Sequence, residues 1–449
     1  MALKIVVAPN AFKECLSAAK AANAMLRGVQ KAFTKYKIEA HAIPLGDGEI
    51  FVAPFGLGDG TAEVLITTNH GKFVPVTVQD PIGRDISCKY GIFQSRSDNV
   101  ETAVIEMAEC SGLWRLNEKE KNPMKTSTYG TGQMILHCVE HQKSVKRVIL
   151  CIGGSATNDG GFGMANALGI QFLHSPFEKE SNTTNGKLLS IFNGFPCPEQ
   201  FLQKNVSSID ISSFQKLQQK LHDIEFIVAC DVKNPLIGSY GASYVYGPQK
   251  LSTLLVPEKS DRDKVLERLD SALTSMNHMW KLQLSKDVSE IPGAGAAGGL
   301  GGGCMVYLNA QMRSGFDLVS EHTGLEESLK NADLVLTGEG RMDSSTDSGK
   351  VPHGVAELAK KHGVDVVFAV TGNCKKYSTY SSSTDEKHDP NMVAFAIADG
   401  PMDLQESLER SSELIENETF RICKVFEAGF SSKLKKDFIA QQNNKIMSQ

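Results

Sequence analysis

The amino-acid sequence predicts an α/β protein with two domains. Short apolar runs rich in β-branched residues alternate with longer amphipathic segments along most of the chain, which is typical of α/β proteins with largely parallel sheets. Several of these runs are followed at once by glycine and polar residues, as at the ends of strands in such sheets. The chain has 449 residues, and single hydrophobic cores stop growing at roughly 250–300 residues. Two domains are therefore expected.

The first elements follow the alternation. An apolar run at 5–8 predicts a strand, and residues 17–33 have the spacing of an amphipathic helix. A second strand is predicted at 39–44 and a second helix at 61–67. Together these segments form two consecutive β–α units of a parallel sheet.

Residues 73–106 follow a different pattern. Strands are predicted at 73–79, 87–93 and 103–106, and turn residues at 80–83 separate the first two. This spacing predicts a β-hairpin and a local antiparallel element. Because the hairpin interrupts the alternation, we expect a change of domain near residue 71.

The remaining segments complete the predicted organisation. Further strands are predicted at 148–152, 224–229, 334–337, 366–370 and 393–397. The polar stretch 175–213 and the charged helix 257–284 carry little site chemistry, so we expect both at the surface. The prediction is a Rossmann/flavodoxin-like parallel-sheet domain interrupted by a second, mixed α/β domain. Its boundaries are 1–71 and 292–430 for the discontinuous domain, 72–291 for the inserted domain, and 431–449 for a polar tail prone to fraying.

Composition and charge exclude several classes of function. With 41% hydrophobic and 22% charged residues, the chain has the composition of an ordinary globular protein. The net charge of −5 gives no electrostatic reason to expect nucleic acid or a membrane surface as a partner. The N-terminal apolar run is too short for a signal peptide or a membrane span. The ten cysteines show no metal-ligand spacing, so we expect a cytoplasmic protein with reduced thiols.

A glycine-rich loop, Gly153-Gly-Ser-Ala-Thr-Asn-Asp-Gly-Gly-Phe-Gly163, directly follows the strand predicted at 148–152. Glycines let backbone N–H groups approach a ligand, and the start of a following helix attracts anions. The loop also carries side chains that suit a hydroxyl or magnesium ligand, at Ser155, Thr157, Asn158 and Asp159. A tight strand-to-helix turn explains the loop equally well when the loop is considered alone.

A second glycine-rich segment lies at 292–303. Its interleaved alanine and leucine residues, and the apolar continuation at 304–308, favour a packed ligand loop and helix start over a linker. The G-x-G-x-x-G spacing at 293–298 also occurs in dinucleotide-binding proteins. No clear strand precedes it, and no acidic residue ends a second strand about twenty residues later, so a nicotinamide-dependent dehydrogenase is disfavoured.

Polar groups end other predicted strands. They are Asn10 and Lys13 after the first strand, Asp231 after 224–229, and Glu339, Arg341 and Asp343 after 334–337. Ligands bind beyond the carboxyl ends of strands in open α/β sheets. Arginine offers a planar fork for carboxylate or phosphate, and carboxylates hold magnesium or orient the arginine. A single lysine near a helix start is more often only solvated.

These motifs occur in a characteristic order. They are Ala8-Pro-Asn-Ala-Phe-Lys-Glu, Thr128-Tyr-Gly-Thr-Gly132, Ile152-Gly-Gly-Ser-Ala-Thr-Asn-Asp-Gly-Gly161, Ala229-Cys-Asp-Val, Asn234-Pro-Leu, Gly247-Pro-Gln-Lys250, Pro292-Gly-Ala-Gly-Ala-Ala-Gly-Gly-Leu300 and Thr337-Gly-Glu-Gly-Arg-Met-Asp343. The order resembles that of the bacterial-type glycerate kinases. The resemblance implies transfer of a phosphoryl group from ATP, with Mg²⁺, to D-glycerate. It also implies that a second domain is inserted into the first. The phosphorylated hydroxyl and the oligomeric state stay open.

The resemblance implies a site for phosphoryl transfer, which needs amides and cations on phosphates, carboxylates on magnesium, and a base. For the nucleotide phosphates we expect Gly153, Gly154, Ser155, Thr157, Asn158, Gly160, Gly295, Gly298, Gly299 and Thr131. For the substrate we expect Asn10, Lys13, Asp47, Asp59 and Arg341. We expect Asp231 as the base, Lys13 and Arg341 as catalytic cations, and Asp159, Glu339 and Asp343 as magnesium ligands.

Two departures from the family pattern bear on activity. The family commonly reads Ala-Pro-Asp-Ser-Phe-Lys near its start, where this chain has Asn10 and Ala11. A compact turn of the family is split here, because the apolar segment 49–57 separates Asp47 from Asp59. A hydrophobic flap, a partner contact or a sequence error such as retained non-coding sequence would each explain the segment. The alternative function is a catalytically impaired homologue that binds a sugar acid or a nucleotide.

Overall fold

The structure is a computed structural model that describes residues 2–12, 15–46, 60–174, 190–342, 351–364, 367–374 and 392–447, with side chains as far as residue 430. Several residues of the predicted site lie outside the described residues. They are Lys13, Asp47, Asp59 and Asp343, together with the segment 49–57.

The described residues form strands and helices in alternation along most of the chain. The strands are β1 (Leu3–Pro9), β2 (Ile38–Ala42), β3 (Lys72–Gln79), β4 (Asp85–Gln94), β5 (Glu101–Glu106), β6 (Arg147–Cys151), β7 (Phe172–His174), β8 (Ser190–Ile191), β9 (Val206–Ile209), β10 (Glu225–Ala229), β11 (Gln311–Arg313), β12 (Leu334–Arg341), β13 (Val367–Asn373) and β14 (Met392–Ala396). The helices are α1 (Ala18–Ala32), α2 (Thr61–Thr68), α3 (Ala108–Ser111), α4 (Tyr129–His141), α5 (Phe162–Ala167), α6 (Pro198–Gln203), α7 (Ile211–Leu221), α8 (Ala242–Lys250), α9 (Lys259–Leu284), α10 (Ala296–Tyr307), α11 (Gly315–Thr323), α12 (Leu325–Leu329), α13 (Val351–Lys361), α14 (Leu404–Glu409) and α15 (Ser411–Met447). None of the described helices is long and apolar enough to span a membrane.

The contacts within the chain divide it into two compact units. One unit contains Met1–Gly46 and Val319–Gln449, and the other contains Gly60–Leu318. Helix α2 belongs to the second unit because Leu65 packs in one apolar cluster with Val104 of β5. The glycine-rich segment 292–303 belongs to it as well, since its backbone packs against the loop 153–163.

The first unit is built on a parallel sheet with the order β2-β1-β12-β13-β14. When these five strands are numbered 1 to 5 in chain order, the sheet order is 2-1-3-4-5, which is that of flavodoxin-like sheets. The predicted α/β class is therefore confirmed. Strand β1 can lie inside the sheet because Ile5, Val6 and Val7 are all fully buried, as a strand covered on both faces requires. The strand order reverses between β1 and β12, and ligands of such sheets bind at this switch point.

Helix α1 shows how local sequence sets an element of this unit. The hydroxyl of Ser17 accepts the N–H of Lys20 at 3.3 Å and caps the helix N-terminus. Ala21, Met25 and Val29 recur every fourth residue and are fully buried. They form one face of the helix, which packs in the core of the unit.

The second unit contains a mixed sheet with the order β3-β4-β5-β6-β10-β11. Strands β3 and β4 pair antiparallel, so the predicted hairpin is confirmed, and β4 and β5 also pair antiparallel. Strands β5, β6, β10 and β11 are parallel. A small antiparallel sheet of β8, β7 and β9 lies in the same unit.

Two expectations about the surface are wrong. Within the stretch 175–213, Phe201 and Ile209 are buried in the main core of the second unit, and so is Trp280 of α9. The indole of Trp280 donates a hydrogen bond of 2.7 Å to the hydroxyl of Tyr307. The sequence pattern did not reveal the apolar face of α9, because charged residues lie between the apolar ones along the helix. Helix α15 continues to Met447, and the fraying of the polar tail 431–449 stays a prediction.

Candidate active site

The carboxyl edge of the sheet in the second unit gathers several of the predicted groups. Cys151 of β6 pairs in register with Glu106 of β5 and with Ala229 of β10. Gly153 and Asp231 each lie two residues beyond a paired position, so they follow neighbouring strands at the same edge. This is the edge at which parallel sheets bind ligands.

The polar side chains of the loop 153–163 face the protein interior. Ser155, Thr157, Asn158 and Asp159 are at most 7% exposed. Gly153 and Gly154, in contrast, are accessible to solvent. Gly154 has a φ of 74°, a conformation that glycine adopts without steric cost. The loop therefore offers a ligand its backbone at the two glycines rather than its side chains.

Asp159 is surrounded by donors from its own unit. Its carboxylate accepts the N–H and the hydroxyl of Thr128, both at 2.8 Å, and the N–H groups of Gly161 and Gly163 at 3.2 and 3.1 Å. Burial raises the pKa of Asp159, and these hydrogen bonds act in the opposite direction. A carboxylate with four donors has little remaining capacity for a metal ion. The geometry favours a structural role for Asp159.

The glycines of the segment 292–303 serve backbone packing. A Cβ on Gly295 would lie 2.0 Å from the carbonyl oxygen of Pro235, and one on Gly298 would lie 2.0 Å from that of Thr157. Gly298 and Gly299 have φ values of 70° and 87°, so regular helical geometry in α10 begins after them. The predicted packed loop and helix start is present, and the contacts of these glycines are with protein.

Thr131 and Gly160 are also engaged inside the fold. Thr131 is 1% exposed, and its hydroxyl shares a hydrogen bond of 2.9 Å with that of Ser111. Gly160 donates its N–H to the carbonyl of Gly298 at 3.0 Å. Neither residue presents a group to solvent, in contrast to Gly153 and Gly154.

Asp231 has a fixed position beyond β10. Its Oδ1 accepts the N–H of Gly315 at 2.9 Å, and its side chain is half-buried. Arg313 ends β11 and pairs in register with Ala229, which puts a cation on the strand next to Asp231. The sequence pattern missed Arg313 because β11 is only three residues long.

Glu106 is a buried carboxyl group that the sequence analysis did not single out. Its Oε1 accepts the N–H of Ala62 at 3.0 Å, at the start of α2. Burial raises the pKa of Glu106 to about 8, and the nearby carboxylate of Glu109 also raises it. Because Glu106 ends the strand predicted at 103–106, the rule that selected Asp231 would have found it too.

Lys250 ends the motif Gly247-Pro-Gln-Lys250, and the sequence pattern predicts no role for it. It is 1% exposed, and its ammonium donates to the hydroxyl of Ser155 at 2.8 Å and to the carbonyl of Thr157 at 2.7 Å. Burial lowers the pKa of Lys250 to about 7, whereas the negative charge of Asp159 acts to raise it. The last residue of α8 thus binds the glycine-rich loop from the inside.

The first unit contributes its own cluster at the switch point. The N–H of Asn10 donates to the carbonyl of Gly338 at 2.8 Å, and its side-chain oxygen accepts the N–H of Ala11 at 2.8 Å. Strand β12 extends to Arg341, so Glu339 and Arg341 lie on the strand, two positions apart, rather than after it. Residues two apart on a strand share a face. Glu339 is buried and Arg341 is exposed.

Magnesium would need oxygen ligands, which Glu339 and Asn10 both carry at the end of neighbouring strands. Within the described ranges, no three His, Cys, Asp or Glu side chains are grouped as a metal site. Asp343 lies outside those ranges. The role of Glu339 as a magnesium ligand stays a prediction.

Comparison with known proteins shows which family the chain resembles. A model of the glycerate kinase family matches residues 5–427. The glycerate kinase of Halalkalibacterium halodurans is 36% identical over 94% of this chain and 97% of its own length. The glycerate 2-kinase of Escherichia coli is 36% identical over 82% of this chain and 90% of its own.

A solved structure agrees as well. The crystal structure of a protein provisionally named glycerate kinase 2, from Salmonella typhimurium LT2, is 34% identical and covers 95% of this chain and 99% of its own. The TM-score between the two structures is 0.70. The chain therefore belongs to the glycerate kinase family.

Proposed function

We propose that this chain is a glycerate kinase that transfers the γ-phosphoryl group of ATP to D-glycerate. The observation that carries the proposal is the match to the glycerate kinase of Halalkalibacterium halodurans at 36% identity over 94% of the chain. The name of the Escherichia coli relative, a glycerate 2-kinase, favours 2-phosphoglycerate over 3-phosphoglycerate as the product.

Within the second unit, the accessible backbone of Gly153 and Gly154 is the part of the glycine-rich loop that we assign to the nucleotide phosphates. Backbone N–H groups at a strand end bind anions without the cost of ordering a side chain. Arg313, on the edge strand of the parallel set, adds a positive charge at the same sheet edge. The other predicted nucleotide residues are buried and would support the phosphate site from within the fold; they are Ser155, Thr157, Asn158, Gly160, Gly295, Gly298, Gly299 and Thr131.

Asp231 is our candidate for the base that accepts the proton of the glycerate hydroxyl. Its Oδ1 bond to Gly315 fixes the orientation of the carboxylate, which general-base catalysis requires. In the first unit, Arg341 is exposed at the switch point and would pair with a carboxylate or phosphate. Glu339 and Asn10 would hold Mg²⁺, and when bound the ion would neutralise charge on the transferred phosphoryl group.

We further propose that the enzyme works in the cytoplasm. All ten cysteines are free thiols, and most lie in the buried core, as is usual for proteins of a reducing compartment. Recovery of the activity from an oxidising compartment in cell fractionation would contradict this proposal.

A direct assay tests the catalytic proposal. Purified protein is incubated with ATP, Mg²⁺ and D-glycerate, and the products are resolved as 2- or 3-phosphoglycerate. We expect turnover, which Asp231→Asn should reduce at least about a hundredfold in kcat. Asp270→Asn is the matched control, since Asp270 is half-buried in the same unit and accepts one backbone N–H from Gly238.

A variant that lacks residues 49–57 completes the assay. If neither form turns over, the kinase proposal is wrong and the impaired homologue is favoured. Turnover only from the shortened form would assign an inhibitory effect to the segment. Near-normal turnover by Asp231→Asn would remove that residue as the base.

A further inference from the structure

Helix α8 presents one polar face to both loops that we assign to catalysis. Ser243, Tyr246 and Lys250 have the i, i+3, i+7 spacing of a single helix face. The hydroxyl of Ser243 accepts the side-chain amide of Asn158, in the glycine-rich loop, at 3.0 Å. The hydroxyl of Tyr246 donates to the amide oxygen of Asn234 at 2.6 Å, three residues after Asp231.

Lys250 makes the closest attachment of α8 to the glycine-rich loop. Its ammonium bonds to both Ser155 and Thr157. Ser155 directly follows the accessible Gly153 and Gly154, and Thr157 lies two residues further along the chain.

Backbone hydrogen bonds hold the same part of the loop, from the N–H of Leu113 to the carbonyl of Gly154 and from the N–H of Ala156 to the carbonyl of Ser111, both at 2.9 Å. The bonds of Lys250 are the side-chain attachments that act together with them, so their loss would loosen the loop next to the glycine N–H groups.

The burial of Lys250 indicates that its charge has a purpose beyond filling space. Burying an ammonium group is costly unless the group is paired or hydrogen-bonded. A methionine of similar length would occupy the same space without that cost. What the lysine adds is two directional hydrogen bonds to one loop.

We propose that α8 is a positioning helix for the kinase reaction, in which Lys250 orients the phosphate-binding backbone at Gly153 and Gly154, and Tyr246 orients the loop of Asp231. The inference rests on the proposed function and deepens it. In this proposal each residue acts through the loop to which it is hydrogen-bonded.

The two contacts predict different kinetic effects. Lys250→Met should raise the KM for ATP at least about tenfold, because a displaced phosphate loop loses binding contacts. The KM for D-glycerate should stay within about twofold of wild type. Tyr246→Phe should lower kcat at least about threefold, with the KM for ATP within about twofold, because it disturbs the loop of the base.

Hydrogen exchange supplies a readout that does not depend on turnover. The peptide 153–163 should exchange faster in Lys250→Met than in wild type, and Mg·ATP should protect it less. Lys216→Met is the matched control, because Lys216 is exposed on α7 of the same unit. Circular dichroism and a thermal melt establish that each variant is folded.

The outcomes separate this inference from the proposed function. An unchanged KM for ATP and unchanged exchange in Lys250→Met would overturn the inference, even if the wild type phosphorylates glycerate. Absence of wild-type turnover would contradict the proposed function, and exchange with and without Mg·ATP would still decide the inference.

If Lys250→Met does not fold, Ser155→Ala decides, since it removes one acceptor and leaves the packing of Lys250 intact. A rise of about threefold or more in its KM for ATP supports the inference, and no change overturns it.

Discussion

Gly160 donates its N–H to the carbonyl oxygen of Gly298 at 3.0 Å, and this bond joins the two glycine-rich segments of the second unit. Around it the two backbones are in direct contact. A Cβ on Gly303 would lie 2.5 Å from the carbonyl oxygen of Gly160, and a Cβ on Gly299 would lie 3.0 Å from the Cα of Gly160. The glycines at 292–303 therefore hold the shape of the first loop by close packing.

Gly298→Ala should destabilise the protein strongly. The new Cβ would lie 2.0 Å from the carbonyl oxygen of Thr157, and the φ of 70° is unfavourable for alanine. We expect a loss of about 3 kcal/mol or more in the free energy of unfolding, measured by urea denaturation. Gly169→Ala is the control, because its φ is 96° but nothing lies within 4 Å of its Cβ. It should cost about 1 kcal/mol, and equal costs for the two variants would contradict the packing argument.

Asp159→Asn distinguishes a structural carboxylate from a metal ligand. An asparagine amide nitrogen cannot accept, so it would face the N–H groups that now donate to Asp159. We expect a loss of about 2–4 kcal/mol in stability, with an unchanged KM for Mg²⁺ in the folded fraction. Asp270→Asn, which loses at most one such bond, should cost about 1 kcal/mol. A stable Asp159→Asn variant with a raised KM for Mg²⁺ would restore Asp159 as a magnesium ligand.

Local patterns in the sequence predict much of the fold. The buried run at Ile5–Val7 and the hairpin of β3 and β4 depend on residues that are close in the chain, so periodicity and turn residues find them. Strand β12 is longer than predicted because its last residues include Gly338 and Gly340, which end the apolar run without ending the strand. Helix α2 groups with the second unit because Leu65 packs with Val104, a contact between residues about forty positions apart that local periodicity does not reveal.

The composition of the candidate site was easier to predict than its orientation. Strand-end positions identified Asp231 and the loop 153–163, but sequence spacing does not say whether a side chain faces a ligand or the core. The inward direction of Asn158 depends on Ser243, and that of Ser155 depends on Lys250. Both partners are more than 80 residues away in the chain, so only the fold reveals them.

Glu106 links the start of α2 to the central strands of the second unit. Gly60 precedes the helix and has no side chain to cap it, so the carboxyl of Glu106 accepts the N–H of Ala62 instead. A Cβ on Gly60 would lie 2.1 Å from Oε1 of Glu106, which explains the glycine at this position. The carboxyl of Glu106 is buried where it accepts this N–H. Because a buried charge is costly, the free energy of unfolding depends on whether Glu106 is protonated.

Glu106→Gln should make the protein more stable at alkaline pH. The pKa of Glu106 is about 8 in the folded chain against an ordinary value of 4.5, because burial and then Glu109 oppose ionisation more than Ala62 and Lys89 favour it. The folded state thus holds a proton that the unfolded state releases, so the stability from this group is complete below about pH 4.5 and is lost as pH rises to about 8.

Glutamine at position 106 keeps the acceptor oxygen and cannot ionise. We expect a gain of roughly 4 kcal/mol at pH 8.5 in urea denaturation, and a difference within about 1 kcal/mol at pH 5. Glu290→Gln, at an exposed position, should leave the pH profile unchanged, and parallel profiles for Glu106→Gln and wild type would show that the carboxyl is already ionised.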